Sequence, residues 1–229
     1  MKKVQEGRSI FELSVPYRLY ESGSSEAKPL MVYLHGFKQN TELFKKLMQP
    51  LAELEAYHLF VQGPYPVYDR KHNKTVDQWG RSWYLYDGRA EQFVSSLEKT
   101  AQFLDHLLED LYPNINTTRT AMVGYSMGGY LAGYYGLSRA DQIDELAVIG
   151  SRIKTEVFKE EHSGFEHLNV LALHGRQDRS VKSDPQKKSC AMLAGWGASV
   201  TFKELEEAHR LSSVYPEEIK KWLTGLGYQ

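Results

Sequence analysis

Gly124-Tyr125-Ser126-Met127-Gly128 is the stretch whose reading decides the fold. The pattern Gly-x-Ser-x-Gly marks a sharp turn from a strand into a helix. The serine sits at its apex in a strained conformation, with its hydroxyl projecting from the sheet. Two residues to either side, the strand and helix backbones crowd together, and only the hydrogen of glycine fits. Alone the pattern is weak, because Gly and Ser are common residues. Its flanks strengthen it. The apolar run Ala121-Met122-Val123 leads in as a strand, and Tyr130-Leu131-Ala132-Gly133-Tyr134-Tyr135 leads out as a helix.

Working outward, short apolar runs alternate with longer amphipathic ones. Leu30-Met31-Val32-Tyr33-Leu34 has the length and continuity of a strand buried on both faces, and it ends in His35-Gly36. Thr41 is positioned to cap a helix from Glu42 to about Tyr57, with Leu43, Phe44, Leu47, Met48, Leu51 and Leu54 on one stripe. His58 to Val61 is a second strand, stopped by Gly63-Pro64. Phe93 to Leu111 carries a helical stripe. Thr118 to Val123 is the strand that enters the serine turn, and Met127 to Leu137 is the helix that leaves it. Leu146 to Gly150 and Leu168 to Leu173 are further strands. Asp184 can cap a helix to about Trp196, Ser199 to Leu205 alternates as a strand, and Pro216 to Leu226 closes as a helix. The run Phe11 to Tyr20 adds an antiparallel edge strand. Strand alternating with helix implies an α/β fold in one domain over residues 1–229, with a mostly parallel central sheet and helices on both faces. The stretch Gly63 to Gly88 breaks the rhythm. It is long, weakly periodic and rich in aromatic residues, as functional loops often are.

Composition narrows the classes. With 229 residues, 41% hydrophobic and 25% charged, the chain buries a full core without staples. A formal net charge of −1 gives no basic excess for nucleic acid or an anionic membrane surface. No run of about 18 apolar residues is present, so no integral membrane contact is expected. The N-terminal residues Met1 to Arg8 lack the apolar run of a secretory signal. Cys190 is the single cysteine, which forbids an intrachain disulfide and leans toward a reducing, cytoplasmic setting. It reads as a helix residue in the interior and not as a second nucleophile.

Serine needs a base to act as a nucleophile at neutral pH. Where a serine occupies this kind of turn, the chain order is serine, acid, histidine. The acid candidate is Asp178, in Leu173-His174-Gly175-Arg176-Gln177-Asp178, a few residues beyond a strand; Asp184 is the nearest substitute. Of the eight histidines, at 35, 58, 72, 106, 162, 167, 174 and 209, only His209 follows Asp178. The order therefore selects it. A tetrahedral intermediate also needs two backbone N–H donors. Met127, following the serine, supplies one, and Phe37, after His35-Gly36, supplies the other.

Leu34-His35-Gly36-Phe37, Gly124-Tyr125-Ser126-Met127-Gly128-Gly129, His174-Gly175-x-x-Asp178 and the late His209 together resemble the phospholipase/carboxylesterase family of α/β hydrolases, which includes the acyl-protein thioesterases. Ser82-Trp83-Tyr84 resembles the family's Ser-Trp-aromatic segment beside the active site. The resemblance spans residues 30 to 225. It implies the α/β-hydrolase fold and a Ser126–His209–Asp178 triad that cleaves carboxylic esters or thioesters through an acyl-enzyme. The chain departs from the family pattern at Lys38-Gln39-Asn40, where a second glycine or small polar residue is usual. It departs again at Ala208, where a glycine usually precedes the histidine. Both departures bear on the substrate more than on the triad.

About 17 residues separate the strand ending at Gly150 from the one starting near Leu168, too few for a large helical cap. An open site follows, with Trp83 and Tyr84 from the aromatic loop as substrate-binding walls. Arg70-Lys71-His72-Asn73-Lys74 reads as a solvated loop tip. The expected partner is a small-molecule ester or thioester, with no cofactor and no metal. The competing readings are a peptidase or amidase of the same fold, and a catalytically silent ligand-binding protein. The silent reading is opposed by the presence of all three triad residues.

Overall fold

Leu30, Val32 and Leu34 pack into one apolar cluster while Met31 and Tyr33 pack into another, so the strand they form is buried on both faces. In the computed structural model, which describes residues 3–7, 9, 12–158 and 164–229, this strand lies near the middle of a seven-stranded sheet. The strands are β1 (Tyr17–Glu21), β2 (Lys28–Leu34), β3 (Tyr57–Val61), β6 (Thr117–Tyr125), β7 (Glu145–Ile149), β8 (Asn169–Gly175) and β9 (Ser199–Leu205). Their order is β1-β3-β2-β6-β7-β8-β9. All neighbours run parallel except β1, which pairs antiparallel with β3. The expected edge strand exists but is shorter than Phe11 to Tyr20, and Phe11 lies outside the described residues, as do Met1, Lys2 and Arg8 of the N-terminal stretch.

One face is covered by α2 (Ala90–Leu111), α3 (Met127–Ser138) and α4 (Ser183–Gly195), through Leu97, Leu104, Leu131, Tyr135 and Leu193. The other is covered by α1 (Thr41–Leu47) and α5 (Val214–Gly225), through Phe44, Tyr215, Ile219 and Leu223. Between β3 and α2 a small ribbon pairs β4 (Tyr65–Pro66) with β5 (Arg81–Ser82). Among the described residues, the connection from β7 to β8 holds only a 3-10 turn, Thr155–Phe158, and no helix of the fold is long and apolar enough to cross a membrane.

Two expectations are corrected. The helix predicted from Glu42 to Tyr57 ends at Leu47, because Pro50 lacks an N–H and its ring collides with the preceding turn; the chain continues as a 3-10 turn, Gln49–Glu53. Its cap is Asn40, whose side chain accepts from Leu43 N at 2.9 Å, not Thr41. Asp184 does not cap α4 either. The helix starts at Ser183, and Asp184 sits in its first turn, where a carboxylate faces the positive end of the helix dipole.

Two histidines are locked neutral in this framework. His35 Nδ1 donates to Gly36 O at 2.8 Å, and Nε2 accepts from Gly63 N at 3.1 Å. His58 lies between Tyr33 OH, 2.9 Å from Nδ1, and Ser22 Oγ, 2.8 Å from Nε2. Burial lowers each imidazole to about 4. The unfolded chain binds these protons from pH 6.5 downward, and the folded chain resists them until about pH 4. Each histidine therefore stabilises the fold fully above pH 6.5, and that contribution is lost as pH falls toward 4. The expected loss is roughly 3 kcal/mol per histidine. Urea midpoints measured from pH 7.5 to 4 should fall steeply across this window; a constant midpoint would refute the assignment.

Candidate active site

Three loops at the carboxyl end of the sheet bring the chemistry together. Ser126 follows β6 with φ 50° and ψ −113°, in the left-handed half of backbone space. Such a conformation costs about 1–3 kcal/mol for a residue with a side chain. The surroundings enforce it. Ser126 N donates to Ile149 O at 2.8 Å, and Ser126 O accepts from Gly129 N at 2.9 Å as α3 begins. A Cβ on Gly128 would sit 2.1 Å from Leu34 O, and one on Gly124 would sit 2.4 Å from Gly128 O. Those two glycines let the strand and helix approach closely enough to raise the serine side chain clear of the sheet.

Ser126 Oγ lies 2.9 Å from His209 Nε2. His209 follows β9, and its Nδ1 lies 2.6 Å from Asp178 Oδ2. Tyr125 lies nearly parallel to the imidazole, with ring centroids 5.6 Å apart and planes 27° apart. Asp178 follows β8, and its side chain is 1% exposed. Burial alone would raise its carboxyl, but the Val181 N–H, the His209 imidazole and the Ser180 N–H together hold it below the usual carboxylate range. Its Oδ1 accepts from Ser180 N at 2.8 Å and Val181 N at 2.9 Å, which leaves Oδ2 for the imidazole. His174 donates from Nε2 to Val181 O at 2.7 Å, tying down the far end of the same loop. A serine hydroxyl, an imidazole and an ionised carboxylate in this line can pass a proton from oxygen to nitrogen and stabilise the resulting cation.

Two backbone N–H groups are the candidates for holding an oxyanion. Met127 opens α3, where no intrahelical acceptor exists. Phe37 N–H has no acceptor among the described residues, although its neighbours Lys38 and Gln39 donate to Arg81 O and Gly36 O. The other predicted site residues divide. Trp83 is not a pocket wall: it is 0% exposed, and its indole N–H donates to His35 O at 2.7 Å. It acts as a strut beneath the His35–Phe37 turn. Thr100 of α2 anchors it in turn, donating to Trp83 O at 2.6 Å. Tyr84 does face a cavity, of about 300 Å³, with Tyr86, Phe93, Tyr130 and Lys154. Phe93 and Tyr130 did not emerge from the sequence as lining residues, although Tyr130 stands one helical turn past Ser126. A wider groove of about 700 Å³ opens beside Asp178 and His209, flanked by Arg176 and Arg179. Cys190 is buried in α4, where burial pushes its thiol up to about 12, leaving it inert. His162 lies outside the described residues.

The phospholipase/carboxylesterase family model matches residues 17–226. No curated protein sequence matches the chain. Among solved structures, the carboxylesterase of Bacillus cereus superposes with a TM-score of 0.75 at 16% identity, covering 92% of this chain and 94% of its own. A carboxylesterase from Mesorhizobium loti gives 0.74 at 18%, covering 94% and 97%. Arabidopsis thaliana SOBER1 gives 0.68 at 17%, covering 86% and 98%. At these identities the likeness is one of fold.

Proposed function

The chain belongs to the phospholipase/carboxylesterase family, and from that premise we propose that it is a serine hydrolase that cleaves small carboxylic esters or thioesters through an acyl-enzyme on Ser126. One observation carries the reading: Ser126 Oγ, His209 and Asp178 form a continuous line of 2.9 and 2.6 Å contacts. In this mechanism Ser126 Oγ attacks the carbonyl carbon as its proton passes to His209 Nε2. The Phe37 and Met127 N–H groups donate to the oxyanion that forms. His209 then returns the proton to the departing alcohol or thiol. A water molecule, deprotonated by the same imidazole, attacks the acyl-enzyme and releases the acid, which regenerates the serine. Asp178 holds His209 in the tautomer that keeps Nε2 free to accept.

The aromatic cavity beside Tyr130 is at the small end of ligand pockets. With p-nitrophenyl esters from acetate to decanoate, hydrolysis is expected throughout, with kcat/KM highest for the shorter acyl groups. Absence of turnover for every member of the series would refute the function; a steady rise to decanoate would refute the cavity as the acyl site.

A further inference from the structure

A second cavity, of about 680 Å³, lies against the turn that carries Phe37. The volume falls within the range of small-molecule sites. Lys38, Arg70, Lys71 and Lys74 line it, with Asp69 as the one carboxylate. Among the described residues, none of these four cations forms an ion pair. Residues 70–74 are exposed, as a solvated tip should be, and Arg70, Lys71 and Lys74 of that tip border the same concave surface as Lys38. The β4–β5 ribbon closes the base of the loop, and Val67 N donates to Gly80 O at 2.8 Å. The Trp79 indole N–H reaches Lys74 O at 3.3 Å, and Trp79 meets Tyr68 edge to face with centroids 5.0 Å apart. The result sets the basic stretch across the cavity from Lys38.

Lys38 links this cavity to the reacting centre. Its Cα is about 3.8 Å from that of Phe37, and its ammonium lies 5.2 Å from the centre of the Phe37 ring. Its backbone has φ 63°. It is clamped there by its own N–H to Arg81 O at 3.0 Å and by Arg81 N–H to Gln39 O at 2.8 Å. An anion held in the cavity would thus lie on the same turn as the Phe37 donor. Positive side chains that converge on a concave surface concentrate anionic ligands and speed their capture.

We propose that this cavity is an anion subsite: the preferred substrate carries a carboxylate or phosphate that Lys38, Arg70, Lys71 and Lys74 hold while its ester bond lies at Ser126. The inference rests on the ester-hydrolase reading above and narrows it to charged esters.

Matched ester pairs test it. Phenyl acetate is compared with 4-acetoxybenzoate and 4-acetoxyphenyl phosphate, which place a carboxylate or a phosphate on the leaving group. p-Nitrophenyl butyrate is compared with p-nitrophenyl hydrogen succinate, which places a carboxylate on the acyl group. At low salt at least one anionic ester should exceed its neutral partner in kcat/KM by roughly tenfold or more, and the advantage should shrink as sodium chloride is added. In Arg70→Gln/Lys71→Gln/Lys74→Gln the anionic-to-neutral ratio should collapse through KM. In the charge-matched control Lys99→Gln/Lys187→Gln/Lys188→Gln, on α2 and α4, the ratio should persist. Equal rates for charged and neutral esters in the wild-type protein would overturn the proposal. So would a ratio retained in the cavity variant, or one lost equally in the control. The wild-type salt titration stands even if the cavity variant fails to fold. Failure to hydrolyse any ester, neutral or charged, would instead remove the hydrolase reading itself.

Discussion

Ser126→Ala should lower kcat for p-nitrophenyl acetate by about 10⁴–10⁶-fold and leave KM nearly unchanged. In the proposed mechanism the substitution removes the oxygen that forms the covalent bond and little else. Both side chains share a Cβ, so the φ of 50° is as strained in the variant as in the parent, and the contacts that enforce it come from backbone groups and glycines. Thermal midpoints should agree within a few degrees, so a lost rate cannot be blamed on a lost fold. What remains should be the turnover of water attacking an ester bound near the Phe37 and Met127 donors. A variant within tenfold of the parent rate would place the nucleophile elsewhere.

Asp178→Asn is the second large effect, and it arises through a proton's position rather than a missing group. The carboxamide oxygen can still accept from Ser180 and Val181, so the loop keeps its shape. The amide –NH₂ then faces His209 Nδ1 as a donor. Nδ1 must become the acceptor, Nε2 carries the hydrogen, and the nitrogen 2.9 Å from Ser126 Oγ can no longer take a proton. The expected fall in kcat is about 10⁴-fold with little change in KM. The parent carboxyl is held below the usual carboxylate range, so it is ionised throughout the neutral and mildly acidic region, and the parent profile there should not show its titration. A variant that loses less than tenfold would show that Asp178 does not set the tautomer of His209. Asp184 offers no substitute, since it sits in the first turn of α4.

The parts legible in sequence are those governed by local rules. The serine turn was readable because the clash of a Cβ on Gly124 or Gly128 is a matter of a few neighbouring residues and one crossing strand. The parallel sheet was readable because Met31 and Leu30 are both buried, so β2 shows a continuous apolar run instead of alternation. Chain order singled out His209, and the fold does bring it between Ser126 and Asp178. What escaped depends on distant pairings. Trp83 looked like a pocket wall because nothing nearby says that a carbonyl at residue 35 receives its N–H. The basic stretch at 70–74 is exposed as its composition suggests, but its sharing of a cavity with Lys38 was hidden, because Lys38 is more than thirty positions away and the ribbon that returns the loop has only two residues per strand. Helix α1 was overextended for a simpler reason: the apolar stripe continues through Pro50 although the hydrogen-bonded turn cannot.

The proposed nucleophile and its proposed base stand on unequal ground. Ser126 follows β6, the central one of the seven strands and walled by β2 and β7, whereas His209 follows β9, the last strand of the order, paired along one side only. Outer strands fray at lower free energy than inner ones. In the proposed proton relay the half that can drift away is therefore the imidazole, and momentary loosening at that margin would silence such a relay while the interior stayed intact.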